Sequence, residues 1–329
     1  MVNISEGTVG DDFDAFGVSE VNISGGTVGN GFDAFNRSTV NISGGTVGNG
    51  FDATGSSVVN ISGGTVGNGF DATDSSVVNI SGGSVGNAFD AFDGSEINIS
   101  GGAVGTNFNA TLGSTVNISG GSVATGFNAE SGSTVNISGG TVGAFFDAEE
   151  GSAVDISGGT VGSNFDVLDG ATVDISGGTF GDFFEVQEGG IANISGGTFG
   201  NSFDVLSNGT VNLFAVEFSL NDASIIDASI IDDFLLGETI AITDRGQDLI
   251  LSGLFANGTR FSFDLNSVNS SDDFFAPDST LTLTQVALNP GVTPEPIPAV
   301  PEPGCGLTLA TMSILLLCLL YTSPSPRDS

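Results

Sequence analysis

The amino-acid sequence predicts an all-β chain wound as a parallel β-helix, a β-solenoid of about twelve nineteen-residue coils closed by a C-terminal β cap. One unit, Val21-Asn22-Ile23-Ser24-Gly25-Gly26-Thr27-Val28-Gly29-Asn30-Gly31-Phe32-Asp33-Ala34, recurs at a constant step of nineteen residues with no insertion. Within it, apolar and polar residues alternate over short runs, the pattern of half-buried strands. Glycine and asparagine return at fixed places between those runs, where a chain must bend. The period is marked by Ile4, Ile23, Ile42, Ile61, Ile80, Ile99, Ile118, Ile137, Ile156, Ile175 and Ile194, with Leu213 as a degenerate twelfth member.

Along one coil, Val21 and Ile23 are expected to point inward and Asn22 and Ser24 outward, because neighbouring strand residues face opposite sides. Gly25-Gly26 makes the first corner, and Val28 supplies the next inward position. Gly29-Asn30-Gly31 makes the second corner, where Asn is expected to tolerate left-handed backbone. Phe32 and Ala34 then share an inward face, and a Phe stands at the Phe32 position in all eleven full coils. A loose segment such as Asp93-Gly94-Ser95 closes the coil. Three sides and three bends of nineteen residues trace a loop of roughly 60 Å, and stacking at about 4.8 Å gives a rod of roughly 55–60 Å. A coil longer than three hexapeptides leans towards the right-handed form, although the pattern alone does not set handedness. No single coil can bury Val21, Ile23, Val28, Phe32 and Ala34, so its neighbours must cover them.

Composition narrows the function classes. The chain of 329 residues carries 39 acidic against 4 basic residues, a formal charge of −35, which excludes nucleic acid and anionic membrane as electrostatic partners. Cations and surfaces that carry them stay open. With 39% hydrophobic residues and 26 Phe, the 52 glycines do not signal disorder; they are periodic. A leucine-rich repeat lacks its leucines here, and the calcium-binding nonapeptide pattern falls one residue out of step, with Asn30 where Asp is needed. Cys305 and Cys318 both lie outside the repeat and read as no disulfide staple.

Stacking turns each outward position into a column. Asn22 begets an amide ladder that changes to Asp at Asp155 and Asp174; Ser24 and Thr27 beget hydroxyl columns. These are expected to satisfy one another and water, and the paired Thr-x-Thr rank of an ice-binding face is absent. The acidic column, Asp14, Asp33, Asp52, Asp71, Asp90, Asn109, Asn128, Asp147, Asp166, Glu185 and Asp204, is a candidate cation ladder. It reads either as a solvated acidic stripe or as carboxylates bridged by calcium, the one cofactor that the residues suggest. Enzymatic chemistry is thin. Proton abstraction in a lyase favours Lys, Arg or His, and the repeat offers Arg37 alone. A carboxylate pair of glycosidase type would recur at almost every coil and singles out none. No catalytic residue is therefore assigned. The Asn-x-Ser sequons follow from the strand pattern.

The repeat occupies residues 1–212, and a non-repetitive segment, 213–288, is expected to cap the last coil or form a small β-domain. Within it, Leu249 to Phe255 and Thr259 to Leu265 flank Asn257-Gly258 as a hairpin, with Phe261, Phe263 and Leu265 on one face, and Thr280 to Leu288 reads as a strand. Residues 289–303 form a Pro-rich linker ending in Val300-Pro301-Glu302-Pro303, followed by an apolar run over 304–317. This pairing resembles the PEP-CTERM sorting signal of exported bacterial proteins. The resemblance implies a membrane helix, recognition of Val300, Pro301, Glu302 and Pro303 by an exosortase, and release or transfer at the cell surface. The run is shorter than the roughly 20 residues that span a bilayer, and no arginine cluster follows it. Cys318 to Asp328 reads as the translation of a transposase adapter used in sequencing libraries, so 318–329 is taken as artefact and the sorting helix as truncated. Met1 opens inside a coil with no leader before it, which is the pattern of a fragment without its signal peptide. The functional expectation is an exported structural or adhesive surface or matrix protein, anchored transiently in the membrane, with extracellular polysaccharide or matrix as partner. A polysaccharide-active enzyme and a calcium-stabilised scaffold are the alternatives.

Overall fold

A computed structural model describes residues 1–220, 235–242, 245, 249–268 and 273–292. Among these residues every regular element is a strand, and from Met1 to Val205 they form the parallel β-solenoid that the period predicts. Each coil has three sides. The first two run on as single nine-residue strands bent at the Gly-Gly corner in the early coils (Glu20–Val28, Thr39–Val47, Val58–Val66, Val77–Val85, Glu96–Val104). Later they separate, as in Thr115–Ile118 and Ser122–Val123. The third side is a short strand such as Phe70–Ala72, and twelve of these build a second sheet. Every side pairs in parallel with its counterpart nineteen residues on: Val2 opposite Val21, Ile99 opposite Ile118, Phe146 opposite Phe165.

The first corner needs glycine because coils approach closely there. A Cβ on Gly63 would lie 2.5 Å from the Ser43 carbonyl oxygen, and Gly64 adopts a φ of +77°. The second corner departs from expectation. Left-handed backbone belongs to the Gly31 position, not to Asn30, and continues through Ala88 (φ 55°), Asn107 (57°), Phe145 (60°), Asn164 (59°), Phe183 (63°) and Ser202 (61°). Asn30 is instead a bracket between coils: its Oδ1 accepts the Asn49 N–H at 2.9 Å, and Asn49 and Asn68 repeat the bond to Asn68 and Asn87.

The core is one continuous cluster. Val21, Ile23, Val28, Phe32 and Ala34 are each at most 1% exposed, as their columns require. From Phe32 to Phe165 the rings stack with centroids 4.6–4.9 Å apart and planes within 4–14° of parallel. Strand spacing imposes that distance, which lies within the favourable range for aromatic pairs. The stack breaks where Phe180 replaces valine at the Val28 position: the larger side chain enters the core, and Phe184 turns to meet Phe165 at 78°. Beside the third corner runs a column unseen in the sequence pattern. Ser38, Ser57, Ser76, Ser95 and Ser114 are buried with hydroxyls that find no partner, whereas Ser133 and Ser152 donate to the Glu130 and Glu149 carbonyls at 2.6 Å.

Beyond Val205 the chain adds one more rung by an indirect route. Thr210–Leu220 continues the first side, and Thr280–Gln285 pairs with it in parallel, Thr210 opposite Thr280 and Leu213 opposite Leu283. Phe274–Phe275 likewise follows Asp204 and Val205. Ile250–Phe255 and Arg260–Asp264 form the expected antiparallel hairpin, and Phe261, Phe263 and Leu265 are buried. Phe263 and Phe275 close over Phe203, with centroids 4.7 and 5.7 Å away. Thr239–Ala241 then pairs antiparallel with Thr280–Gln285. The sorting motif Val300–Pro303, the apolar run 304–317 and the tail 318–329 lie outside the described residues, as does the linker beyond residue 292.

Candidate interaction faces

Outward side chains are placed by the same alternation that fills the core, so each face is a column of near-identical groups. On the first side the amide ladder is continuous from Asn3 to Asn136: each Nδ2 donates to the Oδ1 of the preceding coil at 2.8–3.0 Å. It resumes at Asn193, which donates to Asp174 at 2.7 Å, passes through Asn212, and ends in the cap, where the Thr282 hydroxyl donates to Asn212 at 2.6 Å. The Ser24 and Thr27 columns beside it are exposed apart from the half-buried Ser84 and Ser195.

The predicted acidic residues Asp14, Asp33, Asp52, Asp71, Asp90, Asp147, Asp166 and Asp204 all stand on the third side, half-buried and in single file along the second sheet. Burial raises the carboxyls of Asp33, Asp52, Asp90 and Asp147 above the ordinary carboxylate range. It pushes Asp71, Asp166 and Asp204 up to about 6. Repulsion from neighbouring rungs adds to this, Asp52 and Asp90 acting on Asp71, and Glu185 and Asp147 on Asp166. Where Asn109 interrupts the column, its amide donates to Asp90 at 2.8 Å and opposes the rise. Each rung brings at most one carboxylate to this column, and among the described residues no three acidic, His or Cys side chains converge to hold a metal ion. The column as built is a strip of acceptors with a raised proton affinity.

One place departs from this periodicity. On the first side, Thr210–Leu220 runs straight on where earlier coils bend at Gly-Gly, and puts Phe214 at the position held by serine in the coils before it. The hairpin folds back along the solenoid, and Asn257 at its tip donates to the Ser176 carbonyl at 3.1 Å. Beside it, a cleft of about 570 Å³ is lined by Asp155, Asp174, Ser176 and Asn193 of the solenoid and by Phe214 and Val286. The Asp155 and Asp174 substitutions are legible in the sequence; that the cap overhangs them is not. Compared with protein-family models, with curated proteins and with solved structures, the chain matches none.

Proposed function

We propose that this chain is an exported structural or adhesive β-solenoid of the cell surface or extracellular matrix. The observation that carries the reading is the unbroken register of its outward columns: eleven full coils stack at one spacing and present columns of amide, hydroxyl and carboxylate groups with few substitutions. Such a surface suits a repetitive partner, an extracellular polysaccharide or matrix polymer, better than a single small substrate. The resemblance of Val300-Pro301-Glu302-Pro303 to a PEP-CTERM signal supports export, transient anchoring and processing by an exosortase-type enzyme.

The test exposes the protein to a panel of extracellular polysaccharides and follows both retention and new reducing ends. Retention without reducing ends is the expected result. Release of reducing ends overturns the reading in favour of a polysaccharide-active enzyme. For the sorting step, Pro301→Ala with Pro303→Ala in an exosortase-bearing host is expected to leave the protein in the membrane fraction, and unchanged release would refute it.

A further inference from the structure

We infer that the cleft between the cap and coils nine to eleven binds an organic cation, an amino-sugar unit of a polysaccharide carrying free ammonium groups. This deepens the matrix reading above and rests on it for the polymer. The inference starts from the polarity of the amide ladder. Each carboxamide both donates and accepts, so a rung of Asn is self-satisfying on both sides. Asp155 and Asp174 can only accept. Asn136 Oδ1 therefore faces Asp155 with no donor between them, and Asp155 faces Asp174 likewise; the bonds that join every earlier rung have no counterpart at these two steps. Three successive acceptor groups thus stand one strand spacing apart, about 4.8 Å, with two negative charges among them.

The cleft lies over Asp155 and Asp174, the two acidic rungs of this gap. Among the described residues no arginine lines it, and the apolar side of its wall is the half-buried Phe214 ring with Val286. An occupant must bring hydrogen-bond donors and positive charge to the floor and a hydrocarbon face to the wall, where a cation is also favoured beside an aromatic ring. A pyranose ring bearing an ammonium group has both faces. The floor is a fully paired parallel sheet at these coils and offers no free strand edge to a peptide backbone, which favours a sugar over a lysine-bearing segment. Extended polymers can run on over Asn136 and Asn117, whose ladder continues the floor away from the cap.

The experiment titrates the full chain by calorimetry at physiological salt with a glucosamine hexamer, its fully N-acetylated form and a lysine hexapeptide. The glucosamine hexamer is expected to bind most tightly, and Asp155→Asn with Asp174→Asn to weaken it about tenfold or more, the loss of charged hydrogen bonds. Asp74→Asn with Asp93→Asn removes the same charge far from the cleft and is expected to leave affinity unchanged. Because Asp155→Asn with Asp174→Asn completes the amide ladder, its thermal midpoint is expected to rise, which separates lost binding from lost folding. The proposal is overturned if the hexamer binds the double variant as well as the parent chain, if the distal pair weakens it equally, or if the N-acetylated or lysine oligomer binds as tightly. Retention on matrix polysaccharide with no hexamer binding sinks the cleft alone and leaves the matrix reading standing.

Discussion

Phe108 lies between Phe89 and Phe127, with ring centroids 4.7 and 4.8 Å away, and is fully buried. Removing its ring leaves a cavity that the two neighbours cannot fill without leaving strand register. Phe108→Ala is therefore expected to cost about 3–5 kcal/mol and to lower the thermal midpoint by circular dichroism; an unchanged midpoint would refute the stacked core. Phe145 makes the opposite case. The residue is 58% exposed, and its φ of 60° belongs to a position that glycine holds in earlier coils. Left-handed backbone costs a non-glycine residue about 1–2 kcal/mol, more than the added unfolded-state entropy of glycine. Phe145→Gly is thus expected to raise the midpoint in the same assay. The Phe column was readable because Phe recurs at one spacing and alternates with Ala. The buried Ser38 column was equally periodic yet hidden, since a small polar residue beside Gly looks like loop, and only packing reveals that it faces inward. Asn30 misled for a related reason: Asn suits left-handed turns, but here its side chain is used to bridge coils.

Strand columns set the pH behaviour of the third side. The carboxyls of Asp71, Asp166 and Asp204 sit near 6 in the folded chain, against 3.8 when exposed. Between those values the folded state holds protons that the unfolded state has released, so stability falls as pH rises through this window and stays low above it. The thermal midpoint is expected to be higher at pH 4.5 than at pH 7.5, and a flat or inverted profile would contradict the half-buried column. Asp71→Asn is expected to raise the midpoint at pH 7.5 and flatten the profile, because an amide rung can donate to its neighbour as Asn109 does to Asp90. The same column decides the calcium question. Single-file carboxylates are screened by any salt, so sodium and calcium chlorides at equal ionic strength are expected to shift the midpoint equally; a larger calcium shift reversed by chelator would establish bridging. The column was legible in the sequence, but its raised proton affinity was not. Alternation gives the face, whereas desolvation depends on how the coils enclose it.

At the scale of the whole solenoid, one register serves every junction, so an uncovered coil end is complementary to the opposite end of another copy. Parallel strands left open there form a head-to-tail contact that has no reason to close. The cap interrupts this logic. Thr280–Gln285 supplies a last parallel rung, Thr239–Ala241 reverses direction on it, and Phe263 and Phe275 cover Phe203. From sequence, the hairpin at Asn257-Gly258 could be placed by its turn, but the return of residues 280–285 to pair with 210–215 could not. That pairing has no period and depends on contacts seventy residues apart. The role of the cap can be measured by light scattering on a chain ending at residue 212. Its strand signal by circular dichroism is expected to persist while its mass grows with concentration beyond that of the full chain. Equal mass with an intact strand signal would mean that the coil ends do not recognise each other and that the cap serves the cleft, not the edge. Growth to long fibres, by contrast, would show that the nineteen-residue register is itself sufficient to join one molecule to the next.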